Sequence, residues 1–143
     1  MLDDVGFEVL DPWTLTSKVL FGKAERVMSV YGQRTLFRKA DMAAGENNFH
    51  AIKRCRAIAA ALDGQDVDSG TASEIGCGFA LGKTVIGYRG DFRLSSENPG
   101  TVVNMQVEYF IRASGGDIYT DLKSLRKAMI RLHERLSSAD RRS

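Results

Sequence analysis

The sequence predicts an α/β fold, a parallel sheet flanked by helices, and three observations predict it. Ala57 to Leu62 is a short apolar run, and Thr84 to Tyr88 is another, with Ser69 to about Leu81 between them reading as a helix. Strand, loop, helix and strand in that order form the unit from which parallel sheets are built. Thr101 to Ala113 places Val103, Val107 and Phe110 on one helical stripe. Asp121 to Leu136 is amphipathic, with Leu122, Leu125, Met129 and Leu132 on one face, Asp121 at its amino end and Arg131 and Arg135 near its carboxyl end.

Taken from the amino end, Met1 to Asp4 is a polar start and Phe7 to Leu10 reads as a strand stopped by Asp11-Pro12. Trp13 to Val30 has partial helical spacing, broken near Gly22 and Gly32, and Trp13 is expected in a core or subunit contact. Gln33 to Asn48 is polar and contains Gly45; it reads as a broken helix and loop, followed by a short helix over Asn47 to Arg54. His50 and His133 have no partner spacing for metal and are expected on solvated surface. Gly115-Gly116 breaks the chain before a short last strand within Asp117 to Thr120. The whole chain, 1–143, reads as a single domain, with 137–143 as a frayed tail.

Composition narrows the function. A net charge of +2 gives no argument for a nucleic-acid polymer or a membrane surface as partner. Arg126, Lys127, Arg131, Arg135, Arg141 and Arg142 gather at the carboxyl end and read as a solvated helix face and tail, a phosphate-binding surface being the sharper alternative. Cys55 and Cys77 do not form a metal-binding pair and read as reduced thiols of a cytoplasmic protein. No apolar run approaches the roughly 20 residues of a membrane-spanning helix, and no signal peptide stands at the start. Gly82-Lys83-Thr84 resembles the end of a phosphate loop. Cys77 stands where that loop needs its first glycine, and the lysine falls at the end of a helix, so triphosphate binding is rejected.

The chemistry concentrates between Asp63 and Glu74. Asp63, Asp66 and Asp68 occupy the loop after the first strand of the unit, at the carboxyl edge where ligands of parallel sheets bind. Asp68 and Glu74 are six residues apart, and the turn from loop to helix brings both carboxylates toward one crevice. A carboxylate near a helix amino end stays ionised, and an ionised carboxylate beside an acidic neighbour is the equipment for attack at a sugar C1. A structural alternative stands beside this one. Thr71-Ala72-Ser73-Glu74 fits a capping box, in which Glu74 only returns a hydrogen bond to the helix start, and Asp66 and Asp68 fit ordinary loop and cap residues.

Asp68-Ser69-Gly70-Thr71-Ala72-Ser73-Glu74-Ile75-Gly76, then Ala80 to Arg89, Asp91-Phe92-Arg93, and Gly100 to Ile111 with Asn104 resemble the nucleoside 2-deoxyribosyltransferase family. The resemblance runs from about Gly6 to about Gly116 and is dense between Asp63 and Ile111. It implies a flavodoxin/Rossmann-like sheet and an enzyme that exchanges the base of a 2-deoxyribonucleoside without a cofactor or metal. It implies Glu74 as nucleophile, Asp68 as a nucleoside ligand, and Asn104 as a sugar contact, contributed across a homo-oligomer interface. Asp91 and Arg93 would line the pocket or pair with each other. Nucleosides and free bases are the implied partners. Family members begin with a strand of the type Tyr-Leu-Ala-Gly-Pro. This chain starts after that strand, and Gly6 to Leu10 resembles the family's second. Asn48 stands where the family often has an aspartate that assists the leaving base; an amide can bond a base but supplies no proton as an acid. Cys55-Arg56 likewise replaces the usual Ala-Asp pair. Two alternatives follow: a nucleoside or nucleotide N-glycosidase, with Arg89 or Arg93 on a 5′-phosphate, and a non-catalytic nucleoside-binding homologue.

Overall fold

The sheet forms where the apolar runs lie. In the computed structural model, which describes residues 2–11, 18–93, 96 and 98–141, the elements are a 3-10 turn at Asp3–Val5, α1 at Lys18–Glu25, α2 at Val30–Arg54, β1 at Ala57–Ala61, α3 at Ser69–Ala80, β2 at Thr84–Tyr88, α4 at Met105–Ala113, β3 at Ile118–Tyr119 and α5 at Leu122–Asp140. Contacts divide the chain into two units, one made of 1–9 and 55–143, the other of 10–54.

In the first unit the three strands are parallel and β2 is central. Ala57 pairs with Thr84 and Ala61 with Tyr88, while Gly87 pairs with Ile118. Alternation along β2 splits the core between two faces. Val85 joins Leu62, Val67, Ile75, Val103, Val107 and Ile111 from the layer of α3 and α4. Its neighbour Ile86 joins Leu125, Ala128, Met129 and Leu132 from α5. Helices thus cover both faces, as a parallel sheet requires. The expected α/β, Rossmann-like arrangement is what the chain adopts.

Glycine lets α3 approach and then stop. A Cβ at Gly78 would lie 2.2 Å from Ile58 Cδ1 on β1, so no larger residue fits without a shift. Gly82 closes the helix at φ +71°, with Gly82 N–H donating to Phe79 O at 3.0 Å and Lys83 N–H to Gly78 O at 2.9 Å. This is the left-handed stop that glycine adopts at little cost. Lys83 then turns its Nζ to Cys55 O, 2.7 Å away, a structural use of the lysine.

Several expectations are corrected. Phe7–Leu10 is not a strand. The 3-10 turn ends at Gly6, with φ +95°, and Phe7 packs instead onto α5, its ring edge-on to His133 at 5.1 Å. His133 is accordingly half-buried, not solvated. Trp13 lies outside the described residues. The break expected between Gln33 and Asn48 is absent, for α2 runs 25 residues to Arg54. Its Lys, Arg, Glu and Ala residues favour helix, and one Gly45 costs only about 1 kcal/mol. The last helix continues through Ser137 to Asp140, where a tail was expected to begin, and Arg56 pairs with Asp140 and donates to Leu136 O at 2.9 Å.

The second unit is a helical pair. α1 packs on α2 with Ala24 and Ala40 buried, and the rings of Phe21 and Phe37 meet at 6.2 Å. No helix among the described residues is long and apolar enough to cross a membrane.

Candidate active site

Two loops leave the carboxyl edge of the sheet side by side, one after β1 and one after β2. Since α3 follows the first loop and α4 the second, both helices begin at that edge. Each is opened by an expected site residue. Asp68 caps α3, its Oδ2 accepting from Thr71 N–H at 3.1 Å. Asn104 caps α4, its Oδ1 accepting from Gln106 N–H at 3.0 Å and Val107 N–H at 3.4 Å. A side-chain oxygen on otherwise unpaired amide groups is the standard reason for Asp and Asn at such positions.

Glu74 lies in the second turn of α3 and is half-buried. The capping-box alternative is overturned, because the helix starts at Ser69 under Asp68 and Thr71 lies inside it. Helical side chains lean toward the amino end, so the Glu74 carboxylate leans toward the Asp68 turn. Asp68 at the cap and Glu74 in the second turn thus both belong to the amino-terminal part of α3, which begins at the carboxyl edge of the sheet.

Asp91 and Arg93 are paired. Arg93 Nε donates to both carboxylate oxygens of Asp91, at 2.9 and 3.1 Å, and Nη2 adds a third bond at 2.5 Å. The Arg93 side-chain bonds, helped by its backbone N–H at 3.0 Å, hold the Asp91 carboxyl well below the usual carboxylate range, and the Arg93 guanidinium is raised in return. Arg89 is corrected as a phosphate ligand. It is 1% exposed, and its guanidinium donates to the backbone oxygens of Leu62, Gly64 and Arg93. Asn48 lies on α2, in the other unit. A cavity of about 730 Å³ runs beside α2, lined by Thr35, Arg38, Met42 and Glu46 among others, and includes none of the expected site residues.

Sequence reasoning missed the structural roles of Arg89 and Glu108. Arg89 continues the inward alternation of Val85 and Gly87, and an arginine at such a position is the signal that could have found it. Glu108 is buried at 7% exposure, accepting from Val102 N–H and from Arg112 Nε, both at 2.8 Å. It ties α4 to the segment that delivers Asn104.

The fold and the site define an α/β protein with acidic side chains at the carboxyl edge of a parallel sheet, the equipment of glycosyl transfer. Residues 1–106 match the family described as nucleoside 2-deoxyribosyltransferase, and the chain belongs to that family, one of glycosyl-transferring enzymes. The match takes in Asp68, Glu74, Asp91, Arg93 and Asn104. No curated protein matches the chain.

Proposed function

We propose that the chain is a nucleoside 2-deoxyribosyltransferase with Glu74 as nucleophile. The observation that supports this reading is the position of Asp68 at the cap and Glu74 in the second turn of α3, at the carboxyl edge and inside the region of family match. A Glu74 carboxylate oxygen bonds to C1 of a 2-deoxyribonucleoside. The C1–N bond breaks, and its electron pair leaves with the base, which takes up a proton. A nitrogen of a second base then attacks C1, giving up its proton to solvent, and the C1–O bond breaks to return the carboxylate, with net retention. An oxocarbenium-like transition state needs only a well-placed carboxylate. Asp68 and Asn104 hold the nucleoside, and the Asp91–Arg93 arm borders it. Asn48 enters no step. The protein is expected to act in the cytoplasm as a homo-oligomer, with Asn104 completing a neighbour's site.

The test is chromatography of thymidine and adenine incubated with the protein. New deoxyadenosine is expected, and Glu74→Ala is expected to abolish it while the melting temperature is unchanged. Full exchange by that variant would remove Glu74 from the mechanism. Free thymine without deoxyadenosine would instead make the protein an N-glycosidase, with water as acceptor.

A further inference from the structure

The two crevice loops are not independent. The loop after β1 carries Asp63, Gly64 and then Asp68, while the loop after β2 carries Gly90, Asp91 and Arg93. Two side chains lock one to the other, and each crosses in the opposite direction. From the second loop, Arg89 Nη1 donates to Leu62 O, and Nη2 donates to Gly64 O at 3.1 Å. Nη2 also reaches back to Arg93 O at 2.6 Å, so one guanidinium holds both loops. From the first loop, Asp63 Oδ1 accepts from Gly90 N–H at 2.7 Å and Asp91 N–H at 2.9 Å.

The chemistry of these partners argues for a device rather than a chance contact. Arg89 is 1% exposed, and a guanidinium withdrawn from water persists only where its donors are met. Here both Nη groups are met by backbone oxygens of loops that have no ladder of their own, while Nε is buried without a partner among the described residues. Asp63, in contrast, is exposed on the surface, and its one oxygen supplies the acceptor for two consecutive loop amides. Beside these side chains, the backbone hydrogen bond between the two segments among the described residues is Leu62 N–H to Tyr88 O, where the strands end. The loops so joined lead to Asp68 on one side and contain Asp91 and Arg93 on the other.

We infer that Asp63 and Arg89 form a clasp that fixes the Asp91–Arg93 arm against the loop opening α3, and that both are positioning residues for the transfer reaction. Neither touches the reacting atoms. Their effect is to hold the two walls of the crevice at one separation, so that a nucleoside held by Asp68 on the wall that carries Glu74 is confined by the Asp91–Arg93 arm of the other. This inference rests on the transferase reading for its activity readout, but not for its geometry.

The decisive comparison is Asp63→Ala against Asp63→Asn. An asparagine Oδ1 still accepts both amides, whereas alanine leaves them to water. Asp63→Ala is expected to lower kcat/KM for base exchange by about tenfold or more, the scale on which small misplacements of reacting groups act. Asp63→Asn is expected to stay within about threefold of wild type, since the clasp needs an acceptor rather than a charge. Equal activity of Asp63→Ala and wild type overturns the proposal, and so does an equal fall in both variants. Amide hydrogen exchange on the wild-type protein gives a second judgement that survives if Asp63→Ala does not fold. Slow exchange at Gly90 and Asp91 supports the clasp, and exchange at free-loop rates overturns it whatever the kinetics show. Absence of base exchange in the wild type would sink the transferase reading alone. The clasp is then read from hydrogen exchange and from thymidine affinity, expected to weaken by about tenfold in Asp63→Ala and to recover in Asp63→Asn.

Discussion

Glu108 is a carboxylate that is covered and yet charged. Burial by itself would raise its proton affinity, but the Val102 N–H and the Arg112 guanidinium reverse that, leaving it below the ordinary value. Arg112 turns its other side to Asp117, which accepts from Ile118 N–H at 2.8 Å, so the network runs from the segment before Asn104 to the start of β3. The sign of its pH effect follows. A carboxyl with a depressed folded value adds stability above its unfolded value and loses it as pH falls through the folded one. Glu108→Gln is therefore expected to cost about 1–2 kcal/mol at pH 7, the worth of charged hydrogen bonds with one partner half in solvent. The gap between urea melts of the two proteins should begin to narrow as pH falls below about 4, the ordinary carboxylate range, and close once pH is below the depressed value of Glu108. A gap that stays constant with pH would mean that packing, not charge, is what Gln disturbs. Residues of this kind were illegible in sequence because a Glu four before an Arg on an amphipathic helix looks like a surface pair. Only the chain crossing at Val102 buries it. Asp68, by contrast, was legible as a cap from its place before an opening helix, whereas the cap at Asn104 was not, since the sequence put Asn104 inside a helix from Thr101.

At the scale of the element, α3 is where structure and chemistry share a residue. Asp68 starts the helix through Thr71 N–H, and the transferase reading also gives its carboxylate a nucleoside to hold. The two roles separate by substitution. Asp68→Ala is expected to cost about 1 kcal/mol in stability through the lost cap, and Asp68→Asn to restore it, since Asn caps as well as Asp. If the carboxylate also serves the substrate, Asp68→Asn keeps the wild-type melting temperature and still loses base exchange. Recovery of both stability and activity in Asp68→Asn would leave Asp68 a cap only. The unit from β1 to β2 was legible because apolar runs, an acidic turn and a terminal Gly82 punctuate it within 32 residues, 57 to 88. α2 was not, because its composition is that of a solvated helix, whose continuity comes from propensity and not from an apolar stripe. Phe7–Leu10 failed in the opposite way. A short apolar run fits a strand or a segment laid on a helix equally well, and here α5 took Phe7.

The whole molecule divides its stability unequally. In the unit of 1–9 and 55–143, Leu62, Ile75, Val85, Val103 and Ile111 are fully covered, and a second cluster around Met129 and Leu132 lies on the other face of the sheet. In the unit of 10–54 the buried apolar residues among those described are Ala24, Ala40 and Ala51. Burying a methyl group removes far less surface from water than burying a leucine or isoleucine side chain, which contributes about 1.5–3 kcal/mol. Local opening follows the density of such burial. Amides in the middle of β2, at Val85 to Gly87, are therefore expected to exchange only through global unfolding. Those in the middle of α2, around Lys39 to Asp41, should exchange at least about tenfold faster, the equivalent of 1.4 kcal/mol in opening free energy. Hydrogen exchange read by mass spectrometry over the two segments decides it, and equal protection would show that α2 opens only with the sheet. The fold class was legible because the sheet unit carries the large apolar residues that sequence patterns report. The same distribution bears on function. Asp63, Asp68, Glu74, Arg89 and Asn104 all sit on the unit with the larger core, and the proposed transferase reading needs such a unit, since it asks these groups to hold a fixed separation during bond exchange.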